Sequence, residues 1–243
     1  MGNHRALRRK VRVNIARASS HLNLYSHGSL LYLDIRHRLK GETISTLFDV
    51  GANVGQSVEK FAIDYPSASI FTFEPDPATF SELQSSVAKI RNAKPFNLAF
   101  GSEPGSLRFD NTHPSSEMHQ IAKDQGNEGL ILVPIESIDH FCRERGIGSI
   151  DYLKIDTEGH DLEVLRGASG MLATSAIGIV VTECSMNRDN SRHVPFCSMQ
   201  SFMEDHGFRI FGIYDQMYEW PTEKPNLRRA NIAFISPAVL ARN

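Results

Sequence analysis

From residue 46 onward, short runs of β-branched, aromatic and aliphatic residues alternate with longer segments whose apolar positions recur every three or four residues. The short runs suit buried strands and the longer segments suit amphipathic helices. The pattern predicts strands at Thr46–Val50, Ser69–Phe73, Pro95–Ala99, Ile150–Ile155, Ile177–Thr182, Phe208–Ile213 and Asn231–Ile235. It predicts helices around Gln56–Tyr65, Ala78–Ile90, Ile138–Arg145, Glu158–Ala173 and Ser198–His206. Such alternation implies a mostly parallel sheet covered by helices on both faces. Gly101-Ser102-Glu103-Pro104-Gly105 reads as a turn that joins Asn97–Phe100 to Ser106–Phe109 in a hairpin. Residues 111–129 are polar, and a stretch of this length within a domain reads as a lid or binding loop.

The segment ahead of the first strand has a different character. Leu7, Val11, Ile15 and Ala18 fall on one helix face, with Arg5, Arg8, Arg9 and Arg12 largely elsewhere. The expected organisation is therefore a basic helical extension over residues 1–43, followed by one α/β domain over residues 44–243.

Charge sharpens this division. Residues 1–40 hold nine Lys/Arg against one acid, Asp34, whereas residues 41–243 hold 17 against 27, so a formal net charge of −2 conceals a basic arm on an acidic body. A nucleic-acid-binding domain would spread its basic charge over the folded body, and this chain does not. The arm has no apolar stretch of the kind a secretory or twin-arginine signal needs, and Ala6 stands where myristoylation favours Ser or Thr. Its composition would suit an organellar transit peptide in a eukaryotic source. Three roles remain for a basic helix: contact with an anionic membrane surface, packing on a second subunit, or docking on its own domain. No apolar run approaches the roughly 18 residues of a membrane span. Cys142, Cys184 and Cys197 are odd in number and lack zinc-type spacing, which suits reduced thiols in a cytoplasmic protein, peripheral at the inner membrane surface if the arm binds lipid.

Three segments carry candidate chemistry. In Leu47–Gln56 an apolar strand ends in Asp49, followed by Gly51 and Gly55 and a helix start. Ligands of open parallel sheets bind at the carboxyl ends of strands. Gly51 would let backbone approach a ligand, and Gly55 would allow close packing against a helix. The G-x-x-x-G spacing is neither the G-x-G-x-x-G of dinucleotide binders nor a phosphate-binding loop, which disfavours a nicotinamide-dependent oxidoreductase. A carboxylate at that strand tip suits a cationic amino group. The run Ile70–Pro77 ends a second strand in Glu74, placed to accept the hydroxyl protons of a ribose, and Asp76-Pro77 opens a helix. The run Asp151–Gly167 ends a third strand at Asp156, with Glu158 just beyond and facing the same cleft. Asp161 and Glu163 suit the first turn of a helix.

Taken in order, LFDVGANVGQ, FTFEPDP, FNLAFGSEPGSLRF, ESIDHF, DYLKIDTEGHDLEVLRG and RANIAFIS resemble the FkbM family of S-adenosylmethionine-dependent methyltransferases over roughly residues 44–236. The resemblance implies a class I, Rossmann-like methyltransferase fold with seven strands, mainly parallel, ending in an antiparallel hairpin. It also implies O-methylation of a hydroxyl on a sugar, polysaccharide or secondary metabolite. It places Asp49, Gly51, Asn53 and Gly55 at the methionine end of the cofactor, with Ala52 and Gln56 of the same turn counted in its binding. It places Glu74 at the ribose, Pro75 and Asp76 beside the adenine, Asn97 and Ala99 at the adenine edge, and Asp156 by the methionine amino group and methyl donor. His160 and Asp161 stand where relatives often carry a small residue and Glu, a difference that bears on the acceptor.

A hydroxyl is a poor nucleophile until its proton leaves, so a general base is expected. Asp156 and Glu158 are the first candidates and Glu183 the next, with His113 and His160 as weaker ones. Acids gathered at one cleft could hold a divalent metal through oxygen ligands, but no spacing fixes a metal site and none is assigned. The acceptor pocket is expected from residues 111–129, the segment after Glu183, and Tyr214–Pro221, whose Tyr214, Tyr218 and Trp220 could stack on a sugar. The competing reading is a non-catalytic cofactor-binding or scaffold protein tethered by its arm.

Overall fold

The computed structural model describes residues 28–111, 120–121, 130–219 and 224–243. The arm helix expected over Leu7–Ala18 and most of the 111–129 segment, His113 included, lie outside the described residues. Chain order runs α1 (Leu31–Arg38), β1 (Thr46–Val50), α2 (Gln56–Asp64), β2 (Ser69–Phe73), α3 (Pro77–Val87), β3 (Ala93–Phe96), β4 (Ala99–Phe100), β5 (Gly105–Asp110) and β6 (Gln120–Ile121). It continues with β7 (Ile131–Glu136), α4 (Ile138–Arg145), β8 (Ile150–Ile155), α5 (Asp161–Arg166), α6 (Ser169–Ala173), β9 (Ile177–Ser185), α7 (Phe196–Asp205), β10 (Arg209–Tyr218), β11 (Leu227–Ile235) and α8 (Pro237–Arg242).

A seven-stranded sheet has the order β10-β11-β9-β8-β1-β2-β3. Its strands pair in parallel from β3 through β9, and β11 runs antiparallel to both β9 and β10. This is the class I methyltransferase arrangement, with helices on both faces. Parallel strands buried on both sides need near-continuous apolar sequence, which β1 (Leu47, Phe48, Val50) and β9 (Ile177, Ile179–Val181) supply. One core layer gathers Phe48, Phe73, Phe141, Leu153, Val180 and Phe234. The opposite layer gathers Leu47, Ile70, Leu83, Tyr152, Ile179 and Ala233, and it includes Ile35 and Leu39 from α1 and the residue that follows it. No helix among the described residues is long and apolar enough to cross a membrane.

Local differences from the expected elements have physical reasons. The 97–109 hairpin does not form: β7 inserts between β4 and β5, pairing parallel with β4 and antiparallel with β5 in a second sheet of order β4-β7-β5-β6. The β7 run Ile-Leu-Val-Pro-Ile-Glu contains Pro134, which hides its strand character. The third strand ends at Phe96, so Ala99 belongs to the second sheet, and its side chain packs with Phe109, Val133 and Ile135. The helix expected over Glu158–Ala173 is two short ones. Glu158 and Gly159 have positive φ (55° and 105°), so helix begins only at Asp161. At the break, Asp139 N–H donates to Gly167 O (2.9 Å) and the Asp139 carboxylate accepts from Gly170 and Met171 N–H (2.7 and 3.0 Å), diverting groups that a continuous helix would pair internally.

Candidate functional site

The carboxyl ends of β1, β2 and β8 meet at one edge of the sheet, each carrying an acid. Asp49 and Lys154 are register partners on adjacent strands, so their side chains share a face. Lys154 Nζ stands 3.1 Å from Asp49 Oδ1 and 3.3 Å from Asp156 Oδ2, bridging the two acids. Burial lowers the affinity of that ammonium for its proton, but the two carboxylates outweigh it and hold the pKa above the ordinary lysine value. Asp49 is fully buried, and its Oδ2 also accepts from Ser57 Oγ at 2.5 Å. Asp49 therefore meets protein groups first: it fixes Lys154 and the first turn of α2. Asp156 keeps a partly open carboxylate, with 41% of its side chain exposed.

The glycine turn between β1 and α2 has two tight positions. The sequence suggested that Gly51 clears space for a ligand. Instead, at φ 80° a Cβ there would lie 2.0 Å from the Asp156 carbonyl oxygen, so what approaches is the backbone at the end of β8. Gly55, at φ 93°, leads into α2, and a Cβ there would meet Ser86 Oγ at 2.7 Å and Leu83 at 3.0 Å, which is the helix packing expected of it. Ala52 is buried between these points, its N–H bonded to Phe73 O, and Gln56 is the exposed first residue of α2.

Glu74 is buried and receives two backbone donors: Asn53 N–H on Oε2 and Asp76 N–H on Oε1, both at 3.0 Å. Burial raises its pKa to about 7, against the opposing pull of those donors. Each oxygen retains a further lone pair for a ligand hydroxyl. Asn97 Nδ2 donates to the carbonyls of Glu74 and Pro75, both at 2.9 Å, holding the strand-end turn in shape. Asp76 caps α3: its Oδ2 accepts from Thr79 N–H and Oγ1, and its Oδ1 from Asn111. The side chain expected beside an adenine is thus already engaged in protein contacts.

Beyond β8, the turn over Thr157–His160 is clamped. Asp161, fully enclosed, accepts from Thr157 Oγ1 and Thr182 Oγ1, both at 2.8 Å, consistent with the structural part foreseen for it. Glu163 pairs with Arg166. A Cβ on Gly159 would sit 2.2 Å from Arg192 O, so the turn lies directly against the segment that follows β9. From that segment come the residues that sequence reasoning missed. Arg192 Nε donates to Glu158 Oε2 at 2.6 Å, and His193 Nε2 stands 3.3 Å from the same oxygen and 2.7 Å from Glu183 Oε2. Arg229 takes Glu183 Oε1. Burial pulls the His193 ring down, but the two carboxylates outweigh it and raise its pKa to about 9. The sequence marked this segment only as an expected pocket wall and did not single out His193, because its partners lie 35 and 10 residues away in sequence. His160 is largely buried, which depresses its pKa, and its Nε2 has no hydrogen bond.

Of the aromatic residues expected to line the acceptor pocket, Tyr214 is instead a core residue, buried with its hydroxyl donating to Asp34 Oδ2 at 2.8 Å. Tyr218 is exposed on β10, and Trp220 lies outside the described residues.

A doubly wound sheet in this strand order, with a glycine turn after the first strand and acids at three neighbouring strand ends, defines a class I methyltransferase domain. The model of the "Methyltransferase FkbM domain" matches residues 49–210, two thirds of the chain, and the chain belongs to the FkbM methyltransferase family. It is 28% identical over 145 residues to the hexuronic acid methyltransferase AglP of Haloferax volcanii, covering 59% of this chain and 57% of that protein. It is 25% identical over 144 residues to the 2-O-methyltransferase NoeI of Sinorhizobium fredii, covering 52% and 58%. The chain thus spans under two thirds of the length of both relatives. Among solved structures, precorrin-6y C5,15-methyltransferase of Geobacter metallireducens superposes with a TM-score of 0.46 at 13% identity, covering 85% of this chain and 87% of that one.

Proposed function

We propose that the chain is an S-adenosylmethionine-dependent O-methyltransferase whose acceptor is a hydroxyl of a sugar, polysaccharide or related metabolite. The observation that carries this reading is the convergence of Glu74, Asp156 and the Asp49–Lys154 pair at one sheet edge beside the glycine turn. The residues present fit such a cofactor: Glu74 has lone pairs for ribose hydroxyls, and the open face of Asp156 suits an amino group. The cofactor supplies an electrophilic methyl on a sulfonium, so the protein's task is mainly to position both reactants. Asn53, Gly51 and Ala52 shape the floor of the cleft by backbone contacts, and Asn97 holds the rim around Glu74 and Pro75.

Asp156 is the better of the two proton acceptors considered. Its carboxylate is partly open, whereas Glu158 is held by Arg192 and His193. A base must reach the hydroxyl it deprotonates. Kinship with AglP and NoeI supports the sugar assignment. A cytoplasmic location, which rests on the unpaired cysteines, and a membrane or self-association role for residues 1–40, which rests on the charge and apolar spacing of that segment, belong to the same proposal.

The test is calorimetric titration with S-adenosylhomocysteine, followed by label transfer from S-adenosylmethionine to hydroxyl-bearing glycans. Binding should be saturable at one per chain. Glu74→Ala should weaken it by about 10- to 100-fold, the loss of charge-assisted hydrogen bonds. Well-folded protein that ignores the ligand would sink the reading. Binding without transfer to any acceptor would favour the scaffold alternative.

A further inference from the structure

Glu158, Glu183 and His193 come from three chain segments: the turn after β8, the body of β9, and the loop that follows it. Each offers one donor atom, and the three donor atoms lie within 4.8 Å of one another. Glu183 and His193 are both more than nine-tenths buried. His193 Nε2 and Glu183 Oε2 approach to 2.7 Å, yet neither has a hydrogen-bonding partner of acceptable geometry. Buried polar atoms without partners call for an explanation, and an ion is one of the usual ones.

The orientation of His193 narrows the explanation. Its Nδ1 lies 3.0 Å from Asn190 Nδ2 and 3.2 Å from Asn190 Oδ1, so the Asn190 amide holds the ring by Nδ1 in either tautomer and turns Nε2 toward the two carboxylates. With the Nε2 proton released and Nδ1–H donating to Asn190 Oδ1, the Nε2 lone pair faces two carboxylate oxygens. Two anionic oxygens so close to a ring nitrogen need a positive charge between them, either a proton on Nε2 or a metal cation that takes its place. Fixing the remote ring nitrogen through an amide oxygen is also how proteins orient histidine ligands toward metals.

We infer that Glu158, Glu183 and His193 form a binding site for one divalent first-row transition-metal cation of the Mn2+ or Zn2+ class. One imidazole nitrogen with two carboxylate oxygens suits such ions. Mg2+ and Ca2+ favour all-oxygen shells. Ligands on an ion with bonds of 2.0–2.2 Å stand about 3 to 3.5 Å apart, so small side-chain shifts complete the set. Arg229 and Arg192 already draw on the two carboxylates, which limits the affinity and rules out a tight structural site. The site adjoins the turn that carries Asp156. An ion there would bind an acceptor oxygen and ease loss of its proton, a role that rests on the methyl-transfer reading above; the binding itself does not.

The experiment is Mn2+ titration of the full chain followed by electron paramagnetic resonance, with Zn2+ and Mg2+ as competitors. One saturable Mn2+ is expected, showing magnetic coupling to a single nitrogen, displaced by Zn2+ and not by equal Mg2+. Glu183→Gln and His193→Ala should each weaken it at least ~10-fold, while S-adenosylhomocysteine affinity stays within twofold of the parent chain. Glu158→Gln, at a less buried position, covers the case where a buried variant fails to fold. Absence of saturable Mn2+ and Zn2+ binding in folded parent chain, absence of nitrogen coupling, or unchanged affinity in the variants overturns the site and leaves a proton-held ion cluster. Loss of S-adenosylhomocysteine binding by the parent chain would instead strike the cofactor reading alone.

Discussion

Glu74 shows how one position couples fold to ligand. Its backbone donors, Asn53 and Asp76, tie the ends of β1 and β2 together, and Asn53 adopts positive φ (50°) in the process. A carboxyl whose folded pKa is raised by burial from 4.5 to about 7 keeps a proton that the unfolded chain has already lost in that interval. Its contribution to stability is therefore full below pH 4.5 and is lost as pH rises toward 7. Ligand binding runs the other way, because ribose hydroxyls donate to the ionised form. Affinity for S-adenosylhomocysteine should tighten about tenfold between pH 6 and pH 8 and then level off. Glu74→Gln should flatten that profile. Calorimetry at fixed ionic strength checks both, and a flat profile in the parent chain would contradict the assignment.

At the scale of elements, α4 is the packing centre of one face of the sheet. Its Phe141 meets Phe48, Phe73, Phe96 and Phe100 nearly edge-on, with centroid distances of 5.1–5.8 Å, and Arg145 lies 3.8 Å above the same ring. Edge-to-face contacts of this kind add to the burial of the ring itself. Phe141→Ala should cost about 3–5 kcal/mol, read as a shift in the denaturant midpoint. An effect under 1 kcal/mol would mean that the aromatic layer relaxes around the gap. The ends of α4 follow directly from sequence: Ser137 caps it through His140 N–H, and Gly146 in the left-handed region stops it. Its boundaries were accordingly legible. The break between α5 and α6 was not, because it depends on Asp139, some 30 residues away.

At the scale of the whole molecule, the basic arm does not end where the body begins to fold. Within it, Asp34 is fully buried in α1, accepting from Tyr214 of β10 and from Gly28 N–H (both 2.8 Å), while Leu33, Ile35 and Leu39 are buried beside it. Asp34→Ala would remove the buried acceptor of the Tyr214 hydroxyl and should cost roughly 1–3 kcal/mol in thermal unfolding. Removing residues 1–40 should cost more than that, since it also uncovers apolar core. A truncation that melts with the parent chain would show that α1 is merely attached.

Sequence alone determined the strand–helix alternation, the parallel core strands, and the acids and glycines at the carboxyl ends of β1, β2 and β8. All of these are written in local periodicity and turn chemistry. Tertiary structure decided what those acids touch. It set Lys154 between Asp49 and Asp156, brought Asn111 to the second oxygen of the Asp76 helix cap, moved Tyr214 from pocket to core, and slipped β7 between two strands that read as a hairpin. It also brought His193 to Glu158 and Glu183. The reason is physical: strand and helix propensities are settled within a few residues, whereas burial and ion pairing depend on which distant segments the sheet places side by side.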